Sequence, residues 1–469
     1  MMIPHASRSL HTSKRRRTVP RLNGFAGQSS LERRSLPDLP VEVWREILVS
    51  VVCTSEALCV DRGDPFSDIG DWEMSTLRRI SKSRHRGSVL CLVCKDWYGI
   101  VQQLVCEQVV ICSERHLLSV VERLEKTVHG CVLGTCTRRV DLRIFFRGGT
   151  TTSYMENMIR LLRVTPNLIT YVNNNQHDVD VFPSGHAVQV PSEIMETLAT
   201  YCGATLQRLE WNRDECPLWS DLVHICARTP KLRTLASATA IVSTRHWTPT
   251  DTPVATFQHL RTLALGGPAG HPPIENNSTT MSLQSWDGLL PQLVSPAHSL
   301  PSLQRVEISP YFGTDFFVAH GPTIRTLCFT STSASLPSIL PACPRLKTLV
   351  IPPGGAMSFP PAHASLRSIC ISPPAGYSDS IPQRIFYSIV MPYLMETISR
   401  IEPLHLPKLS RLRIRDTGVL SGAAQCRPLQ SLWSQWNARG VRFEDKHGNP
   451  IKASSDGMYD LAKSGTSVF

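Results

Sequence analysis

The chain contains no apolar run long enough to cross a membrane, and its first residues lack the apolar segment of a secretion signal. A bilayer helix needs about 18 or more apolar residues in succession, and a signal peptide needs a shorter apolar stretch. We therefore expect neither membrane contact nor secretion, and a location in the cytoplasm, the nucleus or both. Charged residues are also scarce, at 19% against 42% hydrophobic residues, which favours a folded chain.

The sequence also lacks the short motifs that mark common catalytic sites. It has no Gly-x-Ser-x-Gly elbow, no Gly-x-x-x-x-Gly-Lys-Ser/Thr loop and no His-Glu-x-x-His pair. Gly266 to Gly270 follows a predicted strand, but Pro268 lacks the amide donor that a phosphate cradle would use. The sixteen histidines show no ligand spacing. We predict a non-catalytic chain with no cofactor and no metal.

Fifteen cysteines are scattered along the chain, and an odd number argues against a disulfide framework. We interpret them as reduced, mostly buried thiols in a reducing compartment, where the sequons at Asn276 and Asn277 would stay unused. Cys91-x-x-Cys94 could be a redox or zinc pair. Because the pair falls within a predicted helical stripe and has no second pair nearby, core packing is favoured.

Much of the net charge of +11 lies in the first 35 residues, which are predicted to form a disordered basic arm. The run Lys14 to Arg17 has the composition of a nuclear import signal. A mitochondrial presequence is a weaker alternative, since Pro4 and Pro20 interrupt any amphipathic helix. A plain solvated arm is the interpretation favoured.

Two apolar stripes at helical spacing follow the arm. The first runs from Val43 to Val52 after an Asp38 cap and Pro40, and the second from Leu90 to Leu104. The first carries Leu39-Pro40-Val41-Glu42, and the second carries Val93-Cys94-Lys95-Asp96-Trp97. In this order, the two segments resemble an F-box.

The F-box resemblance implies docking on a Skp-type adaptor and, through it, on a cullin–RING ubiquitin ligase. The residues that it assigns to adaptor contact are Leu39, Pro40, Val43, Trp44, Ile47, Leu48, Val93, Cys94 and Trp97. This chain departs from the family by an insertion at about 54–87, which either loops out harmlessly or weakens adaptor binding. An alternative for the whole module is an N-terminal cap on a repeat array.

A phrase Leu-x-x-Leu-x-Leu/Ile recurs down the rest of the chain. Clear copies start at Leu206, Leu232, Leu260, Leu303, Ile324, Leu346, Leu366 and Leu409. Weaker copies lie at Val140 and Leu168, and helices are predicted before several copies, at 154–165, 192–201, 218–229 and 388–401. Intervals of 20–28 residues are typical of leucine-rich repeats, and two intervals of 43 are read as two periods each.

The repeats resemble the irregular leucine-rich repeats of a large fungal F-box group, including a closing strand within 433–445. The predicted fold class is therefore α/β, with a small helical F-box-like module followed by an irregular solenoid of strand-plus-helix units. The predicted boundaries are an arm at 1–35, the module at 36–108, the solenoid at 109–445 and a tail at 446–469.

Two surfaces of the repeats are candidates for binding a target. The second position of the phrase is basic in five of the eight clear copies, at Arg233, Arg261, Arg325, Lys347 and Arg367. This ladder would suit an acidic or phosphorylated protein, although a solvated edge is the favoured reading. The fifth position contributes an apolar patch of Ala264, Cys328, Val350 and Cys370, either covered by the chain itself, for example by 351–361, or open to a partner.

Three functions follow from these features. The favoured one is the substrate-recognition subunit of a Skp–cullin–F-box ligase that captures an unidentified protein target. The second is a repeat scaffold without adaptor binding. The third, nucleic-acid association through the basic arm and insertion, is disfavoured because no aromatic residues are interleaved with either basic run.

Overall fold

A computed structural model describes most of the chain from residue 39 onward. The described residues are 39–52, 58–66, 69–178, 188–237, 257–266, 300–308, 314–329, 336–352, 362–372, 391–401, 405–415, 427–445 and 448–450. The predicted basic arm, the glycine-rich segment after Gly266 and both sequons lie outside these residues.

Within the described residues, twelve strands form one parallel sheet in which every strand pairs with its neighbour in chain order. From β1 to β12 they are Gln108–Ile111, Arg139–Leu142, Thr170–Asn173, Arg208–Trp211, Thr234–Ser237, Thr262–Leu265, Arg305–Ile308, Thr326–Phe329, Thr348–Ile351, Ser368–Ile371, Arg411–Ile414 and Arg442–Glu444. This is a repeat solenoid, as the predicted fold class requires.

After an initial group of three, described helices lie between most of the neighbouring strands, except between β5 and β6, β6 and β7, and β9 and β10. From α1 to α11 the described helices are Val41–Val52, Ile69–Leu90, Lys95–Cys106, Glu114–Leu124, Thr152–Val164, Ser192–Cys202, Trp219–Arg228, Thr314–His320, Leu336–Ile339, Met391–Ser399 and Arg427–Ala438. Ser113 and Thr151 cap α4 and α5, since each hydroxyl accepts a hydrogen bond from the amide three residues later. Helices α5, α6, α7 and α10 confirm the helices predicted before the repeat phrases.

The main core lies between the helices and one face of the sheet. It contains the first and fourth residues of every clear repeat phrase, all of them buried, such as Leu206 and Leu209. Within one repeat, the strand and the return segment each have one apolar side, and these two sides pack against each other. Stacking of successive repeats joins the packed sides into one continuous core. The repeat phrase therefore supplies the core of the solenoid.

The prediction that each interval of 43 residues contains two repeats was wrong. Strands β6 and β7 pair directly, as do β10 and β11, so each interval of 43 residues is one repeat with a long connection and not two periods. The weak copies at Val140 and Leu168 are genuine repeats that lead to β2 and β3. Strand β1 was not predicted, because Gln108 to Ile111 lacks the leucine phrase.

The helical module is joined rigidly to the first repeat. Leu48, Val52, Val101 and Leu104 form its small core. Helix α3 leads straight into β1, and Gly99 on α3 lies so close to the His129 imidazole that a Cβ there would collide with the ring. The side chains of Arg123 and Gln102 also hydrogen-bond across this junction, at 2.6 Å.

Two aromatic side chains close the other end of the sheet. Trp433 stacks on Phe443 of β12 with ring centroids 4.9 Å apart, and Trp436 meets the same ring edge-on. Gly440 links α11 to β12 with φ of 78°, a conformation that glycine adopts without strain. The closing strand predicted within 433–445 is confirmed as β12.

Candidate functional site: a chain segment in the concave groove

The face of the sheet opposite the helices is occupied by a segment from the insertion. Residues 58–66, called the strap below, lie across this concave face and contact side chains from β4 to the residue after β11. The strap comes from between α1 and α2, so the insertion is neither a free loop nor part of the helical core at this point. The remainder of the insertion that is described lies in α2, which packs on α1 and α3.

Side chains of the sheet hold the strap by its backbone. The Arg208 guanidinium donates to the carbonyl of Cys59 at 3.2 Å, and the Thr234 hydroxyl donates to that of Val60 at 3.0 Å. Further along, Arg305 donates to the carbonyl of Gly63 at 2.6 Å. Arg415 donates to the carbonyls of Pro65 at 2.6 Å and Phe66 at 3.3 Å. Carbonyl recognition of this kind reads an extended chain irrespective of its side chains.

The Arg62 side chain enters an acidic pocket in the middle of the groove. Its guanidinium is paired with Glu210 of β4 at 3.0 Å and with Glu307 of β7. Each carboxylate also has an arginine on its own strand, Arg208 for Glu210 at 2.9 Å and Arg305 for Glu307 at 2.7 Å. Burial alone would raise the pKa of both carboxyl groups, but the neighbouring guanidinium groups hold the pKa of each below its usual value.

The Asp64 side chain meets the basic end of the groove. Its carboxylate accepts a hydrogen bond from Arg413 at 3.1 Å and remains half exposed. Arg413 is paired in turn with Glu444 of β12 at 2.8 Å. The other Asp64 oxygen accepts from the amide of Phe66 at 3.0 Å, which turns the chain and aims the ring at the sheet.

Phe66 fills an apolar pocket on the concave face. The ring is 1% exposed and packs with Cys328, Val350 and Cys370, apart from the main core. The Arg413 guanidinium lies over the ring, 5.0 Å from its centroid. Phe66 therefore covers three of the four residues of the apolar patch predicted at the fifth repeat position, Cys328, Val350 and Cys370. Of the segment 351–361 that was predicted as a cover, residues 353–361 lie outside the described residues.

The polar and charged residues that build this groove were not predicted as a site, whereas Cys328, Val350 and Cys370 of the ring pocket belong to the predicted apolar patch. The groove residues occupy the third, fifth and seventh positions of the repeat phrase, such as Arg305, Glu307 and Arg415. The strap residues lie in the insertion between the two F-box-like segments. The sequence did contain a signal for this site. Asp61-Arg62-Gly63-Asp64-Pro65-Phe66 contains charged residues and an aromatic residue, and Glu210, Glu307 and Arg413 place charges at the fifth position of the phrase. The strap residues and the fifth-position residues come together only through the curvature of the sheet, which the sequence does not reveal.

The predicted basic ladder lies at the edge of the concave face and not on it. Each second-position residue precedes its strand, and its amide donates to the carbonyl of the corresponding residue one repeat earlier at 2.8–2.9 Å, from Arg261 through Arg367. Arg261, Arg325, Lys347 and Arg367 are exposed, and Arg233 is half-buried. The described turns before β4 to β11 contain no Asp or Glu and add exposed Lys231, Arg345 and Lys408.

The predicted adaptor residues divide by exposure. Pro40, Val43, Ile47 and Val93 are exposed, Leu39, Trp44, Cys94 and Trp97 are half-buried, and Leu48 is buried. Leu48 packs in the core of the module, so its predicted place in the contact is corrected here. Exposed apolar residues that sequence reasoning left out of the set are Val41, Val51, Val89, Leu92 and Tyr98.

Cys91 and Cys94 do not share a helix, contrary to the predicted stripe. Cys91 follows α2, and Cys94 is the N-cap of α3, where its sulfur accepts from the Trp97 amide at 3.5 Å. Cys91 packs against the module core. Among the described residues no group of His, Cys, Asp and Glu is arranged to hold a metal ion, and no described helix is long and apolar enough to span a bilayer.

Comparisons with known proteins show no family for this chain. No family model matches the chain, and no curated protein matches it. The chain is similar to one in the crystal structure of the Rad7 and Elc1 complex in yeast, with 9% sequence identity and a TM-score of 0.32 over 80% of this chain and 88% of that chain. A likeness this low transfers neither partner nor activity. The strand pairing and the buried repeat leucines define the chain as an α/β leucine-rich-repeat solenoid, with a helical module before the repeats and its own strap in the groove.

Proposed function

We propose that the chain is the substrate-recognition subunit of a Skp–cullin–F-box ubiquitin ligase. The helical module would dock on a Skp-type adaptor, and the solenoid would hold a protein target. The chain itself would do no chemistry, since a receptor contributes by bringing the target close to the ligase. The observation that supports this proposal best is the row of exposed apolar side chains on the module.

That row has the geometry of a docking face. Val43, Ile47 and Val51 recur every four residues on α1, so they lie on one side of the helix. They are 39–41% exposed although they are large and apolar. At the other F-box-like segment, Val93 is 49% exposed and its neighbour Leu92 is 85% exposed. Monomeric proteins rarely leave such residues together in water, and an adaptor would cover them.

The candidate surface for binding the target is the predicted basic ladder of Arg233, Arg261, Arg325, Lys347 and Arg367, called the basic edge below. Its exposed second-position residues precede β6, β8, β9 and β10, with Gln304 interrupting the series before β7. Neighbouring strands of a sheet lie about 4.8 Å apart. An acidic or phosphorylated segment could bind along the basic edge through charge-assisted hydrogen bonds. We propose the cytoplasm or the nucleus as the place of action, because the adaptor partner operates in those compartments.

The test is adaptor co-purification with Ile47→Asp. A buried carboxylate at the centre of a docking face is unfavourable, so this variant should lose at least about 90% of the adaptor that the wild-type chain retains. The module should stay folded, because Ile47 is 39% exposed. Leu48→Asp is a poor probe by comparison, since it places a charge in the module core and should melt the helices.

Val318→Asp is the matched control, because Val318 is 70% exposed on α8, far along the solenoid. It should retain adaptor at the wild-type level. Full adaptor retention by Ile47→Asp would contradict the docking assignment. No adaptor bound by the wild-type chain would favour the second candidate, a repeat scaffold that binds partners without ubiquitin transfer.

A further inference from the structure

The groove is built as a site for an extended peptide. Five side chains, in order along the sheet, donate hydrogen bonds to the strap backbone or to the Asp64 carboxylate: Arg208, Thr234, Arg305, Arg413 and Arg415. Between them lie an acidic pocket for a guanidinium and an apolar pocket for a ring. Backbone donors combined with spaced side-chain pockets are how proteins read a bound peptide with both affinity and specificity.

The groove does not need the strap to satisfy its own charges. If Arg62 left, Glu210 would keep Arg208 and Glu307 would keep Arg305. If Asp64 left, Arg413 would keep Glu444. Removing one member of a buried ion pair is costly because it strands the other. Here Glu210, Glu307 and Arg413 each retain an ion-pair partner from the sheet, and Arg415 retains a hydrogen bond to the Ser372 hydroxyl. The strap is therefore bound in the manner of a ligand that can leave.

We infer that the concave groove is a peptide-binding site and that the strap is its resident internal ligand. The external ligand is an extended protein segment with the same chemistry: a basic residue, an acidic residue two positions later, and an aromatic residue two positions after that. Such a segment binds by displacing residues 58–66 from the groove. This inference rests on the proposed receptor role only in taking that segment to belong to the target; the site itself is independent of the adaptor.

Binding of the external segment is opposed by the tether. A ligand attached through the same chain is present at an effective concentration in the millimolar range. A free peptide of the same affinity therefore competes poorly until the strap is weakened. The target needs either a better match to the pockets than the strap offers or additional contacts, such as the basic edge.

The test uses a fluorescent peptide of residues 58–66 with Cys59→Ser, and the full-length chain. In one variant the strap is disabled by Arg62→Ala, Asp64→Ala and Phe66→Ala together. Fluorescence anisotropy should show the peptide binding to this variant at least about tenfold more tightly than to the wild-type chain, whose own strap competes. The assay contains no adaptor, so its outcome is separate from that of the adaptor experiment.

Two controls distinguish site binding from charge attraction. A peptide in which the arginine and the second aspartate are exchanged keeps the composition and should bind the disabled-strap variant at least tenfold less tightly. Adding Val350→Lys to that variant places a charge in the ring pocket and should abolish binding. The inference is overturned if the disabled-strap variant keeps its circular-dichroism spectrum but does not bind the peptide, or if both peptides bind equally.

Discussion

At the residue scale, Phe66 lies where three strands would otherwise present apolar groups to water. Cys328, Val350 and Cys370 stand on adjacent strands β8, β9 and β10 and share the ring. Fully burying a phenylalanine side chain contributes about 1.5–3 kcal/mol. Burial also raises the pKa of Cys328 to about 12 and that of Cys370 to about 11. The two thiols therefore report whether the ring is in place.

Phe66→Ala should make these two cysteines reactive. Without the ring, water reaches both sulfurs, and each thiol pKa falls back toward its ordinary value of about 8.5. At pH 8 we expect alkylation of Cys328 and Cys370 at least about tenfold faster than in the wild-type chain, measured by peptide mass spectrometry. Cys343 in the main core should stay protected, and exposed Cys112 gives the reference rate. Unchanged rates would mean that the strap backbone alone seals the pocket.

At the element scale, neighbouring repeats approach each other closely at their turns. Gly321 ends α8 before β8, and a Cβ there would collide with the carbonyl oxygen of Ala342 in the next repeat. The glycine permits the two turns to stack closely beside the paired strands β8 and β9. A side chain at this point has to push apart two backbones, which a packed interior resists.

Gly321→Ala should therefore destabilise the solenoid. Overpacking of a close contact costs about 1–3 kcal/mol, and here the colliding atom belongs to the backbone and cannot rotate away. Urea unfolding followed by circular dichroism should show a lower midpoint. Gly148→Ala is the matched control, because its Cβ would meet no atom within 4 Å. Equal midpoints for both variants would show that the repeats at β8 and β9 stack more loosely than described.

At the scale of the whole molecule, the strap adds contacts that a repeat array does not normally have. In such arrays each repeat contacts only its neighbours, so that parts can unfold independently. Here one segment contacts β4, β5, β7 and β11 at once. These contacts couple distant repeats and should make unfolding more cooperative.

Replacing residues 58–66 by a Gly/Ser linker of equal length should reduce that cooperativity. We expect a broader urea transition, or two transitions, because the repeats near β4 and those near β11 would no longer share contacts. The measurement is urea unfolding followed both by circular dichroism and by tryptophan fluorescence, which reports on the environments of the nine tryptophans along the chain. Coincident and equally sharp transitions in wild-type and linker chains would contradict this coupling.

The solenoid was predictable because its signal is local and repeated. Leucines at fixed spacing predict buried strands, and Leu206 or Leu346 needs no knowledge of the rest of the chain. The long intervals failed because spacing alone cannot distinguish two repeats from one with a long connection. Leu48 failed for a related reason: an apolar stripe on α1 has a buried side and an exposed side, and only packing against α3 shows which is which.

The groove was not predictable from local patterns. Arg62 finds its partners 148 and 245 residues away, and no periodicity links the insertion to the repeats. The apolar fifth positions did indicate that something covers the face, and the identity of the cover depended on where the sheet curves. The basic edge was found by its composition, and its position follows from the strands, because each strand starts one residue after the second position of the phrase.

The strap also sets an order of events during synthesis. It leaves the ribosome early, whereas its last groove contact, Arg415, follows 350 residues after Pro65. At about 5–20 residues per second, the strap waits roughly 20–70 s for its complete binding site. Its charged and turn-forming sequence keeps it soluble during that time. The strap can therefore dock completely only on a chain whose repeats are stacked as far as β11.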